Sequence, residues 1–92
     1  MSWEVVDYKF KKIIDKLPIQ CKKKYAVFKY IVQAAGLDGV INSPGFHLER
    51  LKGKLQRYHS IRLNIAYRVI FEVNDQVKII DIYEISKHKY ED

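Results

Sequence analysis

The spacing of the apolar residues changes near the middle of the chain, from a helical period to a strand period. In the first half, one stripe at i, i+3, i+4 and i+7 is typical of an amphipathic helix and consists of Phe10, Ile13, Ile14 and Leu17. A second helical series runs from Cys21 to Ala35, and Gly36 is a natural stop. In the second half, apolar and polar residues alternate from Ser60 to Val73, as in strands with one buried face. The two periods together predict an α+β fold.

Local signals indicate how the first half is divided. The run from Trp3 to Val6 is short and β-prone, and Asp7 stands where the N-cap of the first helix would lie. Pro18 ends that helix, so the two helices form a hairpin. Gly, Asn, Ser and Pro between Leu37 and Phe46 predict a loop.

In the second half, Asn74 and Asp75 suit a tight turn between strands. The run from Val77 to Ile85 has apolar residues at both odd and even positions, so both of its faces are apolar. This predicts a central strand covered on both sides. The expected architecture is an N-terminal edge strand and a two-helix hairpin packed on one face of a C-terminal antiparallel meander. Arg62 and Arg68 then point to the opposite, open face.

The size and the composition predict a single domain over residues 1–92. No apolar stretch approaches the ~20 residues of a membrane span. The first residues lack the basic start and apolar centre of a signal peptide, and the lone Cys21 has no disulfide partner in the chain. We therefore expect a cytoplasmic protein in which Cys21 is a small core residue.

The positive charge is concentrated in one segment. The formal net charge is +6, and from Arg50 to Arg68 there is no Asp or Glu. The basic side chains of that segment are Arg50, Lys52, Lys54, Arg57, Arg62 and Arg68, together with His59. Such a segment attracts a polyanion, although a solvated basic face without a partner has the same composition.

The second half also contains the residue types needed to cleave RNA without a metal. That reaction requires a base for the 2′-hydroxyl proton, a cation for the charge on the phosphorane and an acid for the departing 5′-oxygen. The candidates are Glu49, Lys52, Lys54, Arg62, Arg68, His88 and Tyr90. Each also has a structural interpretation, such as an ion pair between Arg68 and Glu72. The histidines are scattered without ligand spacing, so we expect no metal site and no cofactor.

Four motifs and their order resemble the RelE/ParE superfamily of bacterial toxins from type II toxin–antitoxin systems. They are LKG at 51–53, YHSIRLN at 58–64, YRVIF at 67–71 and ISKHKY at 85–90. The segment FKKIIDKLP at 10–18 fits as well, so the resemblance covers nearly the whole chain. The first motifs are similar to the HigB branch and the last to RelE and YoeB, and the branch stays unassigned.

The resemblance implies the same α+β fold and, for the toxic members, cleavage of messenger RNA in the ribosomal A site. It implies that Arg68 stabilises the scissile phosphate, that Glu49 is a candidate base, that His88 is a candidate acid or base and that Tyr90 lies near it. RNA-binding residues are less closely matched, and we expect them to be Lys52, Lys54, Arg57, His59 and Arg62. RelE itself favours a lysine pair on the first meander strand, where this chain has His59 and Arg62.

Three functional hypotheses follow from the resemblance. The first is a metal-independent endoribonuclease, an mRNA interferase whose partners are the ribosome and messenger RNA. The second is a ParE-like toxin that poisons DNA gyrase and cleaves nothing, and the third is a decayed toxin that only binds its antitoxin. The combination of Arg68, His88 and Tyr90 favours the first, because a purely interacting protein has no need for such a group. The charge and the resemblance also predict an acidic antitoxin as partner.

Overall fold

The computed structural model describes residues 2–87, in which two helices pack on one side of a five-stranded sheet. In chain order the elements are β1 (Glu4–Val6), α1 (Lys11–Asp15), α2 (Ile19–Ile41), β2 (Glu49–Arg50), β3 (Tyr58–Arg62), β4 (Tyr67–Asn74) and β5 (Ile79–Lys87). Short 3₁₀ turns occupy Tyr8–Phe10, Pro44–Phe46 and Gly53–Leu55. The predicted α+β architecture is confirmed.

The strand order in the sheet is β1-β5-β4-β3-β2. Strands β2 to β5 pair antiparallel with their neighbours, whereas β1 pairs parallel with β5. The N-terminal strand therefore lies at one edge, as predicted. The opposite edge is the two-residue strand β2, which the alternation pattern did not predict because two residues are too few to show a period.

The core lies between α2 and one face of the sheet. The buried residues of α2 are spaced by three or four positions and include Cys21, Tyr25, Phe28 and Val32. The ring centroid of Phe28 lies 5.5 Å from that of Phe71 on β4 and 6.0 Å from that of Phe46. Burying each such aromatic or aliphatic side chain stabilises the fold by roughly 1.5–3 kcal/mol. Cys21 is a core residue, as predicted, and burial raises the pKa of its thiol.

A β-bulge changes the alternation within β5. Ile70 pairs with Glu84 and Phe71 with Ile82, so Tyr83 has no partner on β4. Before the bulge Ile80 and Ile82 are buried on the helix side, and after it Ile85 is buried on the same side. The bulge thus accounts for the change from even to odd buried positions between Ile82 and Ile85, whereas Ile79, before the bulge, pairs with Asn74 on the other side of the sheet. The prediction of a strand covered on both sides is wrong, since Tyr83 is half exposed.

Asp7 connects the N-terminal turn to α2 instead of capping a helix. Its side chain makes no capping hydrogen bond, contrary to the prediction. The Tyr25 hydroxyl donates to Asp7 Oδ2 at 2.7 Å, and Lys29 Nζ lies 3.1 Å from the same oxygen. Burial, and then the hydrogen bond to Asp7, raise the pKa of Tyr25, so its hydroxyl remains a donor. This tertiary contact replaces the local capping bond.

Gly36 divides α2 into two helical segments, so the first segment stops at this glycine, as predicted. Its backbone has φ 65° and ψ −154°, and the helix continues from there to Ile41, so the predicted loop from Leu37 begins too early. The added turn buries Val40 in the core. A Cβ at position 36 would lie 2.6 Å from Nε1 of Trp3, so glycine allows both the backbone conformation and the packing of the indole. Within residues 2–87, no helix is long and apolar enough to cross a membrane.

Replacing Gly36 with alanine should therefore destabilise the protein. The backbone conformation is almost restricted to glycine and costs other residues about 1–3 kcal/mol, and the methyl group would displace Trp3. Gly45→Ala is the matched control, because nothing lies within 4 Å of its added Cβ, and it should change the free energy of unfolding by less than about 0.5 kcal/mol. Urea unfolding followed by Trp3 fluorescence measures both. Equal midpoints for the two variants would contradict this account of Gly36.

Candidate functional site

The sheet face away from α2, which we call the open face, carries polar side chains in adjacent rows. They occur in rows because residues paired across neighbouring strands project to the same side. The first row consists, from β3 to β5, of Arg62, Arg68 and Ser86. The second row consists, from β2 to β5, of Glu49, Ser60, Ile70 and Glu84. Ser60 and Ile70 are buried and form a floor between the charged residues.

Arg62 and Arg68 lie directly opposite each other on β3 and β4. Like charges in a cross-strand pair repel each other and destabilise the sheet. Among the described residues, the buried Nε of Arg68 has no hydrogen-bond partner. The expected alternative partner, Glu72, instead lies 3.5 Å from Nε of Arg57. The pair therefore presents two cations on one face that a single anion such as a phosphate would satisfy.

Glu84 and Ser86 lie beside this pair and were missed by the sequence analysis. Ser86 is the cross-strand neighbour of Arg68, and its hydroxyl donates to Glu84 Oε2 at 2.7 Å. Both residues reach the open face because the bulge shifts the parity of β5 by one residue. The signal that could have revealed them is the change of apolar parity between Ile82 and Ile85.

Glu49 also lies on the open face. It is exposed on β2, pairs with Ser60, and is one row away from Arg62 on the same side of the sheet. Two strand spacings and one row, roughly 12 Å in all, separate its backbone from that of Arg68. The structure thus places the predicted base and the predicted cation on one surface of the sheet.

Other basic residues surround the rows. Lys52 and Lys54 are exposed around the Gly53–Leu55 turn that precedes β3. At the end of β3, Lys24, His47, Arg62 and Asn64 line a hollow of about 300 Å³. Lys24 Nζ donates to the carbonyl oxygen of Gly45 at 2.6 Å and lies 5.3 Å from the centroid of the Phe46 ring.

His59 does not join Arg62 and Arg68, although the sequence analysis grouped them. Its ring stacks on Phe71 on the helix side of the sheet, with centroids 5.9 Å apart and an interplanar angle of 15°. Burial, and then the charge of Arg50, lower the pKa of His59. Side chains alternate between the two sides of a strand, so His59 points to the same side as Ile61 and to the side opposite Arg62. His59 is therefore part of the packing at the edge of the core.

Two predicted catalytic residues, His88 and Tyr90, lie outside the described residues.

Arg57, a predicted RNA-binding residue, lies on the open face, and its guanidinium donates to the Tyr58 hydroxyl at 3.2 Å. Across residues 2–87, no three His, Cys, Asp or Glu side chains are grouped closely enough to hold a metal ion.

Comparison with known proteins identifies one family. A family model described as a RelE-like toxin of the type II toxin–antitoxin system HigB matches residues 5–88. Among proteins with curated descriptions, no sequence matches the chain.

Solved structures of two toxin–antitoxin complexes share the fold. The archaeal RelE–RelB complex from Pyrococcus horikoshii has a TM-score of 0.74 and 22% sequence identity, over 99% of this chain and 100% of that one. The YoeB–YefM complex from Staphylococcus aureus has a TM-score of 0.68 and 19% identity, over 97% of this chain and 100% of that one. At these identities the similarity establishes the fold.

The lowered pKa of His59 predicts that the protein is less stable in mild acid. The unfolded chain takes up a proton near the ordinary value of 6.5, whereas the folded state resists protonation. The corresponding stability is present above that value and is lost as the pH falls through the folded-state pKa. We expect a smaller free energy of unfolding at about pH 5 than at about pH 7.5, and a weaker dependence in His59→Gln. His47→Gln, at an exposed position, should keep the wild-type profile. An unchanged profile in His59→Gln would assign the effect to other groups.

Proposed function

Since the chain belongs to the HigB-like family of RelE-like toxins from type II toxin–antitoxin systems, we propose that it acts in the cytoplasm as an endoribonuclease that cleaves messenger RNA on the ribosome. The observation that carries the proposal is the cross-strand pair of Arg62 and Arg68 on the open face, with the buried Nε of Arg68 unpartnered among residues 2–87. Repulsion within this pair is relieved when an anion binds, and a phosphodiester is an anion that both guanidinium groups can contact.

In the proposed reaction, Glu49 removes the proton of the 2′-hydroxyl, and the 2′-oxygen attacks the adjacent phosphorus. Arg62 and Arg68 stabilise the negative charge that develops on the phosphorane oxygens. The bond from phosphorus to the 5′-oxygen breaks, and the departing oxygen takes a proton from His88 or Tyr90. The products are a 2′,3′-cyclic phosphate and a free 5′-hydroxyl, so no water is consumed in this step and no metal is required.

The surrounding cations are proposed to hold the RNA backbone. Lys52 and Lys54 lie on one side of the rows, and the hollow with Lys24 and His47 lies at the end of β3. Contacts from such side chains to phosphate are independent of sequence and weaken steeply as the salt concentration rises. His59 is excluded from this group because its ring packs against Phe71.

We further propose that an acidic antitoxin regulates the protein. The two similar structures described above are complexes with antitoxins. A net charge of +6 favours association with an acidic partner, and a partly disordered chain can cover a large surface as it folds on binding. The ParE-like alternative is not favoured, because the family model that matches is HigB-like.

The nature of the fragment ends tests the proposed reaction. The protein is treated with EDTA and dialysed, then incubated with programmed ribosomes and messenger RNA, and the ends of every fragment are mapped. We expect cleavage that leaves a 2′,3′-cyclic phosphate and a 5′-hydroxyl, since the 2′-oxygen is the nucleophile. A single 2′-deoxy substitution at the scissile nucleotide should block it. Fragments with 3′-hydroxyl ends, or loss of cleavage only in the EDTA-treated protein, would contradict the mechanism. No cleavage by the untreated protein would favour a toxin that only binds.

Arg68→Ala should lower the cleavage rate by a factor on the order of a hundred to a thousand, because it removes a group that stabilises the transition state. Arg50→Ala is the matched control, since Arg50 is exposed and pairs with His59, whose ring lies on the other side of the sheet. It carries the same change of charge and should retain activity within a few-fold. Thermal melts of both variants identify any loss of folding. A fully active Arg68→Ala would exclude Arg68 from the reaction.

A further inference from the structure

A cleft of about 360 Å³ opens near the end of the open face that lies away from Arg62 and Arg68. One wall is the turn from Asp7 to Phe10, and the other comes from β3, β4 and β5. Its volume falls within the range of sites that bind small molecules. The reaction proposed above does not use this cleft.

Two tyrosines form an aromatic platform in the cleft. The rings of Tyr58 and Tyr83 lie 4.5 Å apart at an angle of 30°. Tyr58 is 8% exposed, whereas Tyr83 is 50% exposed, so one side of the platform is available to a ligand. Tyr83 is the bulge residue of β5 and makes no strand pair with β4. Bulges of this kind redirect a side chain and often lie next to functional sites.

Arg57 and a third tyrosine, Tyr8, also line the cleft. The guanidinium of Arg57 lies 5.2 Å from the centre of the Tyr58 ring. Tyr8, on the opposite wall, is 74% exposed. Exposed aromatic side chains next to an arginine are the groups on which single-stranded nucleic acids stack their bases.

The carboxylates of the cleft differ in whether they are already paired within the protein or can bind a ligand. Asp7 is bound to Tyr25 and Lys29, and Glu72 pairs with Arg57. Asp81 is exposed and, among the described residues, its carboxylate has no hydrogen bond or ion pair. A free carboxylate accepts hydrogen bonds from the amino group of a base, whereas it repels phosphate. The cleft therefore suits a base that points inward from a backbone held elsewhere.

We propose that this cleft binds a nucleobase of the RNA substrate, which stacks on the exposed ring of Tyr83, and that Asp81 selects a base with an exocyclic amino group. The ring of Tyr58 supports Tyr83 from the buried side. The inference rests on the proposed RNA substrate. Tyr58 and Arg62 lie on the same side of β3 four residues apart, or about 13 Å, so the base belongs to a nucleotide near the scissile one. Tyr83 and Asp81 are thus residues that position the RNA and determine its preference.

The test uses fluorescein-labelled oligocytidine and oligouridine, both 2′-O-methylated so that neither is cleaved, with affinities measured by anisotropy on the full chain. Wild type should bind oligocytidine more tightly, because only cytosine has an amino group. Tyr83→Ala should weaken binding of both roughly 5- to 150-fold, whereas Tyr83→Phe should keep it, since stacking needs the ring. Asp81→Ala should bring the two affinities together. Tyr30→Ala, at an exposed position on α2, is the control and should change nothing.

The outcomes separate this inference from the proposed cleavage. If a folded Tyr83→Ala binds both oligonucleotides as wild type does while wild type cleaves messenger RNA, the inference is wrong and the proposed function stands. If the predicted binding pattern is found without any cleavage on ribosomes, the base site stands and the proposed reaction is wrong. If Tyr83→Ala weakens only the complex with an acidic antitoxin, the cleft is a protein-docking site and the inference is overturned.

Discussion

Phe28 on α2 packs against Phe71 on β4, and the burial that centres on this contact determines which face of the sheet meets solvent. Because neighbouring residues in a strand point to opposite sides, fixing Phe71 and Val69 toward the helix sends Arg68 and Glu72 to the open face. The same constraint acts on β3 through Ile61. The candidate site is therefore a consequence of how the core is filled, since its charged residues could not be moved to the other face without slipping a strand by one residue.

The arginine pair shows how such a site can conflict with stability. A cross-strand pair of like charges contributes unfavourably to the sheet, and a guanidinium nitrogen buried without a partner adds a desolvation cost. Burial of the aromatic and aliphatic core on the other face offsets both costs. An anion bound between the two guanidinium groups would relieve their repulsion, so part of this cost to folding would favour phosphate binding.

The open face has two chemically distinct ends. Arg62 and Arg68 occupy one end, and the other carries the aromatic platform of Tyr58 and Tyr83 with the carboxylate of Asp81. The bulge in β5 contributes to both, since it frees Tyr83 from strand pairing and brings Glu84 and Ser86 beside Arg68. This single bulge thus determines which side chains of β5 are present at both ends of the open face.

The sequence alone determined the order of the two helices and of the strands other than β2, and it also predicted β1 as an edge strand. The common face of Arg62 and Arg68 follows from local periodicity. Strand alternation also predicts that His59 points to the same side of the sheet as Ile61. His59 was nevertheless grouped with Arg62 and Arg68, because the residues around it are basic. Only the tertiary structure decided the bulge at Tyr83, the bond from Tyr25 to Asp7 and the helical turn beyond Gly36. Each of these depends on a partner distant in sequence or on the next strand, such as Trp3 against Gly36. A local sequence pattern does not predict which distant residue a side chain contacts, because that contact depends on how the whole core packs.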